Sequence, residues 1–158
     1  MKTVLLVCHA NTCRSVMAHV LLERMLADRN GHHDIRVRSG GVAPYARDRM
    51  IASLDARLVL REDGIHLGEY AFTSTDLRQH RDIIAEADLI LTMTAGQKDI
   101  LDTFAEARGR PIFTLKEFAG ERGDIDDPVG QGEDHYRACR DEIKRCLESS
   151  LDRLMSFG

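Results

Sequence analysis

An unbroken apolar run, Val4-Leu5-Leu6-Val7, passes directly into Cys8-His9-Ala10-Asn11-Thr12-Cys13-Arg14-Ser15, and then into a stretch with apolar residues at Met17, Val20, Leu21 and Met25. A strand therefore feeds a tight loop, and the loop feeds the N-terminus of a helix. A strand that is apolar on both faces needs cover on both, which points to a parallel sheet. The loop forms a cup for an anion, because successive backbone N–H groups point inward and the helix dipole adds positive potential. That potential favours the thiolate of Cys8 at the lip. Arg14, six residues on, forks onto two oxygens of the same anion. A thiolate and a guanidinium around a phosphate-sized hole suit phosphoryl transfer through a cysteinyl-phosphate.

The bare Cys-x5-Arg spacing is weak by itself, since Cys139 and Arg145 repeat it. That second pair lies in Asp134–Met155, where Ile143, Leu147, Leu151 and Leu154 mark a helix without glycine or proline. Positions six apart on a helix lie about 120° apart around the axis and do not close on one anion. Only the first pair has a strand before it, a helix after it and a turn-forming Asn11 inside it.

The chain of 158 residues is long enough for one domain with a full core, expected over 1–158. A net charge of −4 argues against a general nucleic-acid or membrane-surface partner. The first apolar stretch is too short for a signal peptide, and no segment has the length of a membrane span. Four cysteines without a CxxC pair or a disulfide-rich spacing fit a reducing, cytoplasmic location.

Patterning predicts strands at Thr3–Val7, Ile35–Arg38, Ala87–Met93 and Pro111–Leu115. Helices are predicted at Val16–Arg29, Ala46–Glu62, from a Thr75-Asp76 cap to about Ala85, at Thr94–Ala107 and at Asp134–Met155. Strands alternating with helices imply a three-layer α/β fold, a four-stranded parallel sheet with helices on both faces joined by right-handed crossovers. In such sheets the site lies beyond the carboxyl ends of the strands, where the Cys8 loop sits.

Phosphoryl transfer from an ester or amide also needs a proton on the leaving group. The polar Gly120–Gly132 loop carries Asp124, Asp126 and Asp127, followed by Pro128. An acid on a loop over the phosphate can supply that proton. Proline biases the residue before it to extended geometry, which would hold the Asp127 carboxylate outward. The charge pattern alone leaves the three aspartates, and a plain acidic surface turn, open.

These features together resemble the low-molecular-weight protein tyrosine phosphatase family. The matching residues are Val7-Cys8-x-x-Asn11-x-Cys13-Arg14-Ser15, Arg38-Ser39-Gly40-Gly41-Val42, Ala87-Asp88-Leu89-Ile90-Leu91-Thr92-Met93-Thr94 and Asp127-Pro128, in family order. The resemblance implies Cys8 as nucleophile, Arg14 as phosphate clamp and Asp127 as general acid and then base. It implies that His9, Ala10, Asn11, Thr12, Cys13, Arg14 and Ser15 line the phosphate, with Asn11 bracing the loop against Ser39 and Ser15 donating to the Cys8 thiolate. Cys13 would be the disulfide partner that protects an oxidised Cys8. It implies a phosphorylated protein or aryl phosphate substrate, inorganic phosphate as product, and no metal or other cofactor.

Departures from the family pattern matter as well. Ala10 stands where the family usually has glycine, and would cost about 1 kcal/mol if the loop needs positive φ there. Val16 replaces a proline, Glu69 aligns with a histidine that often braces the loop, and Val129-Gly130 replaces aromatic residues after Asp-Pro. Tyr45 or Phe72 would have to supply an aromatic wall. Thr12, and Phe113-Thr114-Leu115-Lys116-Glu117-Phe118, are similar to the protein-arginine phosphatase branch, so phosphotyrosine and phosphoarginine both stand as substrates.

Three other readings remain. Arsenate reductases share the fold and cup but relay a disulfide through two further cysteines. Cys139 and Cys146 are about 10 Å apart along one helix, too far for a disulfide without unwinding. A phosphate-binding or redox-sensing module with a cup impaired by Ala10 is the non-enzymatic alternative. A metal site could draw on His135 with Cys139, or on His32-His33, but no third and fourth ligand stands at useful spacing.

Overall fold

The computed structural model describes residues 1–30 and 34–157. In chain order the elements are β1 (Lys2–Cys8), α1 (Arg14–Asp28), β2 (Ile35–Gly41), α2 (Leu54–Glu62), α3 (Arg81–Ala85), β3 (Leu89–Thr92), α4 (Ala95–Leu101), a 3-10 turn (Ala105–Ala107), β4 (Ile112–Thr114), α5 (Leu115–Phe118) and α6 (Glu133–Ser156). The four strands form one parallel sheet in the order β2-β1-β3-β4. This is the expected α/β architecture.

The period-two alternation of β1 explains the three layers. Val4, Leu6 and Cys8 face a core made with Met17, Leu21 and Leu22 of α1 and Ile143, Leu147 and Leu151 of α6. Leu5 and Val7 face the opposite way, onto Leu77, Ile83, Ile84, Leu101 and Phe104. Both faces of β1 are therefore buried, which accounts for its unbroken apolar sequence. Its carboxyl end, with that of β3, opens where the Cys8 loop begins. Among the described residues no helix is long and apolar enough to cross a membrane.

Three predicted elements differ from the structure. The helix expected over Ala46–Glu62 begins only at Leu54, where the Ser53 side chain accepts from the Ala56 N–H. The residues before it are held as a loop by tertiary partners: Met50 N–H donates to Ser74 Oγ, Asp76 N–H donates to Asp48 Oδ1, and Arg49 has φ of 65°. The Thr75-Asp76 pair does not cap a helix. The Thr75 carbonyl accepts from Gly41 N–H, Asp76 Oδ1 accepts from Arg78 N–H, and helix starts at Arg81. The helix expected over Thr94–Ala107 ends at Leu101 and resumes as the 3-10 turn. The short helix α5, missed in the sequence, starts from a capping box in which Thr114 Oγ1 accepts from Glu117 N–H and Glu117 accepts from Thr114 N–H.

Candidate active site

β1 delivers Cys8 at its last residue, and the chain turns at once. Asn11 makes that turn possible by adopting φ of 60°, a left-handed conformation asparagine tolerates better than most side chains. Ala10 is not among the described residues with positive φ. The cost anticipated for an alanine there does not arise, and with it goes the reason to suspect an impaired cup. Asn11 is completely buried, donates from Nδ2 to Ser15 Oγ at 2.7 Å and accepts from Thr75 N–H at 2.9 Å. Ser39 is not its partner. Ser39 Oγ instead lies 2.8 Å from His19 Nδ1, and the His19 ring meets Phe72 edge-on at 5.1 Å. The backbone of Thr75 thus does the bracing that the sequence assigned to Ser39, while the His19 ring holds Ser39. The one sequence signal for His19 was a polar residue four positions after Ser15 on α1. Glu69 is exposed, and Phe72 is not among the residues that line the pocket.

The loop is also clamped from outside. Val42 N–H donates to the Cys8 carbonyl, Ala43 N–H to the His9 carbonyl and Ser53 N–H to the Thr12 carbonyl. These contacts turn the carbonyls outward. Gly41 permits them: a Cβ there would lie 2.5 Å from the His9 carbonyl oxygen and 2.9 Å from the Ala10 carbonyl carbon. Both are backbone atoms that move only if the cup moves. Gly41→Ala is therefore expected to lower stability by about 1–3 kcal/mol and to weaken inorganic phosphate as a competitive inhibitor. Denaturant midpoint and inhibition constant check it; an unchanged inhibition constant would show that the cup tolerates the shift.

Cys8 is 3% exposed. Its Sγ lies 3.0 Å from Ser15 Oγ and accepts from Asn11 N–H at 3.3 Å. α1 begins at Arg14 with Cys13 as its N-cap and no capping side chain, so its first N–H groups are left to a ligand. Arg14 is 2% exposed; Nη1 donates to the Ile125 carbonyl at 2.8 Å, and Nη2 stands 3.6 Å from Asp127 Oδ2. Ile125 is a residue the sequence did not single out; it fixes the guanidinium from the acidic loop.

The same loop separates its three aspartates. Asp124 Oδ1 accepts from Ala95 N–H, Asp126 is exposed, and Asp127 alone lines the pocket with Cys8, His9, Ala10, Thr12, Cys13, Arg14, Tyr45 and Val129. Asp127 Oδ1 accepts from Val129 N–H, which sets the carboxylate against the cup. The pocket holds about 310 Å³, with Tyr45 rather than Phe72 as its aromatic wall. Burial, with Arg14 adding to it and Asp127 opposing it, holds the His9 imidazole below its ordinary value near 6.5.

All four cysteines are free thiols and all are buried. Burial raises the Cys13 thiol well above the usual range and pushes Cys139 up to about 12. Cys139 and Cys146 both lie within α6, packed into the core, and a disulfide between them would require that helix to unwind. Among the described residues no three His, Cys, Asp or Glu side chains stand together as a metal site; His32 and His33 lie outside the described residues.

The match to known proteins spans the whole of this architecture. Residues 3–156 match the family described as low molecular weight phosphotyrosine protein phosphatase. A Geobacillus stearothermophilus protein named protein-arginine-phosphatase is 42% identical over 97% of this chain and 96% of its own. A Staphylococcus haemolyticus protein, low molecular weight protein-tyrosine-phosphatase PtpB, is 34% identical over 87% and 88%. The solved structure of YwlE arginine phosphatase from Geobacillus stearothermophilus superposes with a TM-score of 0.84 at 39% identity, covering 99% of this chain and 94% of that one. With the cup, the fold and the sequence in agreement along nearly its full length, the chain belongs to the low molecular weight phosphotyrosine protein phosphatase family.

Proposed function

We propose that this protein removes phosphate from phosphorylated arginine side chains of proteins, with Cys8 as nucleophile, Arg14 as clamp and Asp127 as general acid. Phosphate seats in the cup with its oxygens on the loop N–H groups and the Arg14 guanidinium. Cys8 Sγ attacks phosphorus in line. The S–P bond forms as the P–N bond breaks, and Asp127 delivers its proton to the departing nitrogen. Water then attacks the cysteinyl-phosphate and gives its proton to the Asp127 carboxylate. The S–P bond breaks, and Ser15 Oγ hydrogen-bonds the released thiolate. The products are the free side chain and inorganic phosphate.

The observation that carries the substrate reading is the pocket wall: the Thr12 hydroxyl-bearing side chain and the Asp127 carboxylate line one space with Cys8 and Arg14. A guanidinium offers N–H donors to both, whereas a phenol ring offers none. The exposed Val129 supplies no aromatic face after Asp127-Pro128 for a phenol ring. The relative named for protein arginine supports the same reading.

The test is turnover of a phosphoarginyl and a phosphotyrosyl peptide by wild type and Thr12→Ile. The expected result is a wild-type preference for phosphoarginine that falls by about tenfold or more in Thr12→Ile, because a guanidinium N–H loses its acceptor. A wild-type preference for phosphotyrosine that Thr12→Ile leaves unchanged would overturn the substrate reading and leave a tyrosine phosphatase of the same mechanism.

A further inference from the structure

His9 carries an imidazole within the cup loop, and the mechanism above gives it no task. It sits directly after the nucleophile, and its carbonyl is pinned by Ala43 N–H at 3.0 Å, so its backbone has no freedom to carry it away. Its imidazole lines the same pocket as Cys8, Arg14 and Asp127. Tyr45, brought in by the loop between β2 and α2, stands beside it with ring centroids 6.4 Å apart and planes tilted by 52°. Tyr45 is 60% exposed, so the pair forms a π surface that runs from the cup to the mouth. With phosphate in the cup, the remainder of a substrate extends outward through the pocket that this surface lines together with Asp127 and Val129.

We infer that His9 and Tyr45 together form the wall on which the planar leaving group lies, and that His9 favours a guanidinium there only while its imidazole is uncharged. This rests on the phosphoarginine reading. A neutral imidazole and a phenol ring offer faces on which a guanidinium stacks. An imidazolium at the same place repels the guanidinium, and it leaves a neutral phenol undisturbed. His9 is thus a specificity residue whose choice depends on pH.

The groups that face His9 are Arg14 and Cys8 of the cup, Tyr45 from the loop after β2, and Asp127 from the acidic loop. Arg14 and burial oppose protonation, and Asp127 favours it less strongly. The balance shifts protonation of His9 toward acid from its ordinary value, which favours the uncharged imidazole as pH rises.

The experiment measures kcat/KM for a phosphoarginyl and a phosphotyrosyl peptide from pH 8 to pH 5, with uncatalysed loss at each pH subtracted. The ratio of the two cancels ionisations of the enzyme that serve both substrates. Comparing wild type with His9→Gln cancels the ionisations of the substrates. In wild type the arginyl-to-tyrosyl ratio should fall about tenfold further than in His9→Gln, the size expected of like charges a few ångströms apart in a half-wet site. His9→Lys, charged throughout, should hold the ratio low even at pH 8. Circular dichroism establishes that both variants are folded. A ratio that follows the same pH course in all three proteins overturns the role of His9. Absence of phosphoarginine turnover at every pH, with phosphotyrosine turnover intact, overturns the substrate reading and this inference with it.

Discussion

Replacing Cys8 by serine should lower turnover of every phosphorylated substrate by roughly 10⁴- to 10⁶-fold, the range for losing a covalent nucleophile. The reason lies in what surrounds the sulfur. Sγ accepts from Asn11 N–H and meets Ser15 Oγ, in a cup that also holds the Arg14 guanidinium. These contacts hold the sulfur in place at the cup. A serine hydroxyl in the same place holds its proton far more tightly than a thiol does and is the weaker nucleophile. Binding should survive, because the loop N–H groups and Arg14 are untouched. The check is kcat on para-nitrophenyl phosphate beside the inhibition constant of inorganic phosphate measured by calorimetry. Substantial turnover by Cys8→Ser would exclude the cysteinyl-phosphate route.

The second large effect is selective. Asp127→Asn should lower the rate on a phosphoarginyl peptide or an alkyl phosphate by about 10²- to 10⁴-fold, the usual worth of a positioned general acid. On para-nitrophenyl phosphate, whose leaving group departs without a proton, the first step should be nearly unimpaired. The slow step then becomes hydrolysis of the cysteinyl-phosphate, which also needs Asp127, so a burst of nitrophenol should appear before a slow steady state. Asparagine keeps the shape of the side chain and its bond to Val129 N–H, so a collapse of the loop is not the cause. Equal losses on good and poor leaving groups, with no burst, would remove Asp127 from the role of acid.

These two residues were legible in the sequence to different degrees. The Cys8 cup is a local object. Its strand is marked by four consecutive apolar residues, its turn by Asn11, its helix by the spacing of Met17, Val20 and Leu21, and all of it falls within about twenty-five residues. Asp127 was one of three candidates, and only the folded loop separates them. Asp124 is spent on the N–H of Ala95 at the start of α4, while Asp127 is brought to Arg14 across more than a hundred residues of chain. No spacing rule contains that distance.

The bracing of the cup failed to show for the same reason. Ser39 and Asn11 are both polar and both close to the loop, yet Asn11 is held by the backbone N–H of Thr75 and Ser39 by the ring of His19. A backbone donor leaves no trace in residue identity. The stretch from Ala46 to Ser53 has a helical pattern and is nonetheless a loop. The hydroxyl and the main chain of Ser74 offer its backbone better partners than the next turn of helix would, and the Asp48 side chain ties the stretch to Asp76 N–H. Ala10 went the opposite way: the sequence suggested strain, and the structure moves the left-handed residue one position on, to Asn11.

The sequence by itself determined the elements whose signals are local: the apolar strands, the closing helix α6, the parallel α/β architecture, and the pairing of a thiol with a guanidinium at a helix N-terminus. Periodicity and turn chemistry act over a few residues and need no partner to be read. The tertiary structure alone decided which carboxylate reaches the cup, which groups brace it, which aromatic ring walls it, and which helical pattern gives way to a loop. Each of those depends on contacts between segments far apart in the chain, where competition for a hydrogen bond or a buried face outweighs local preference.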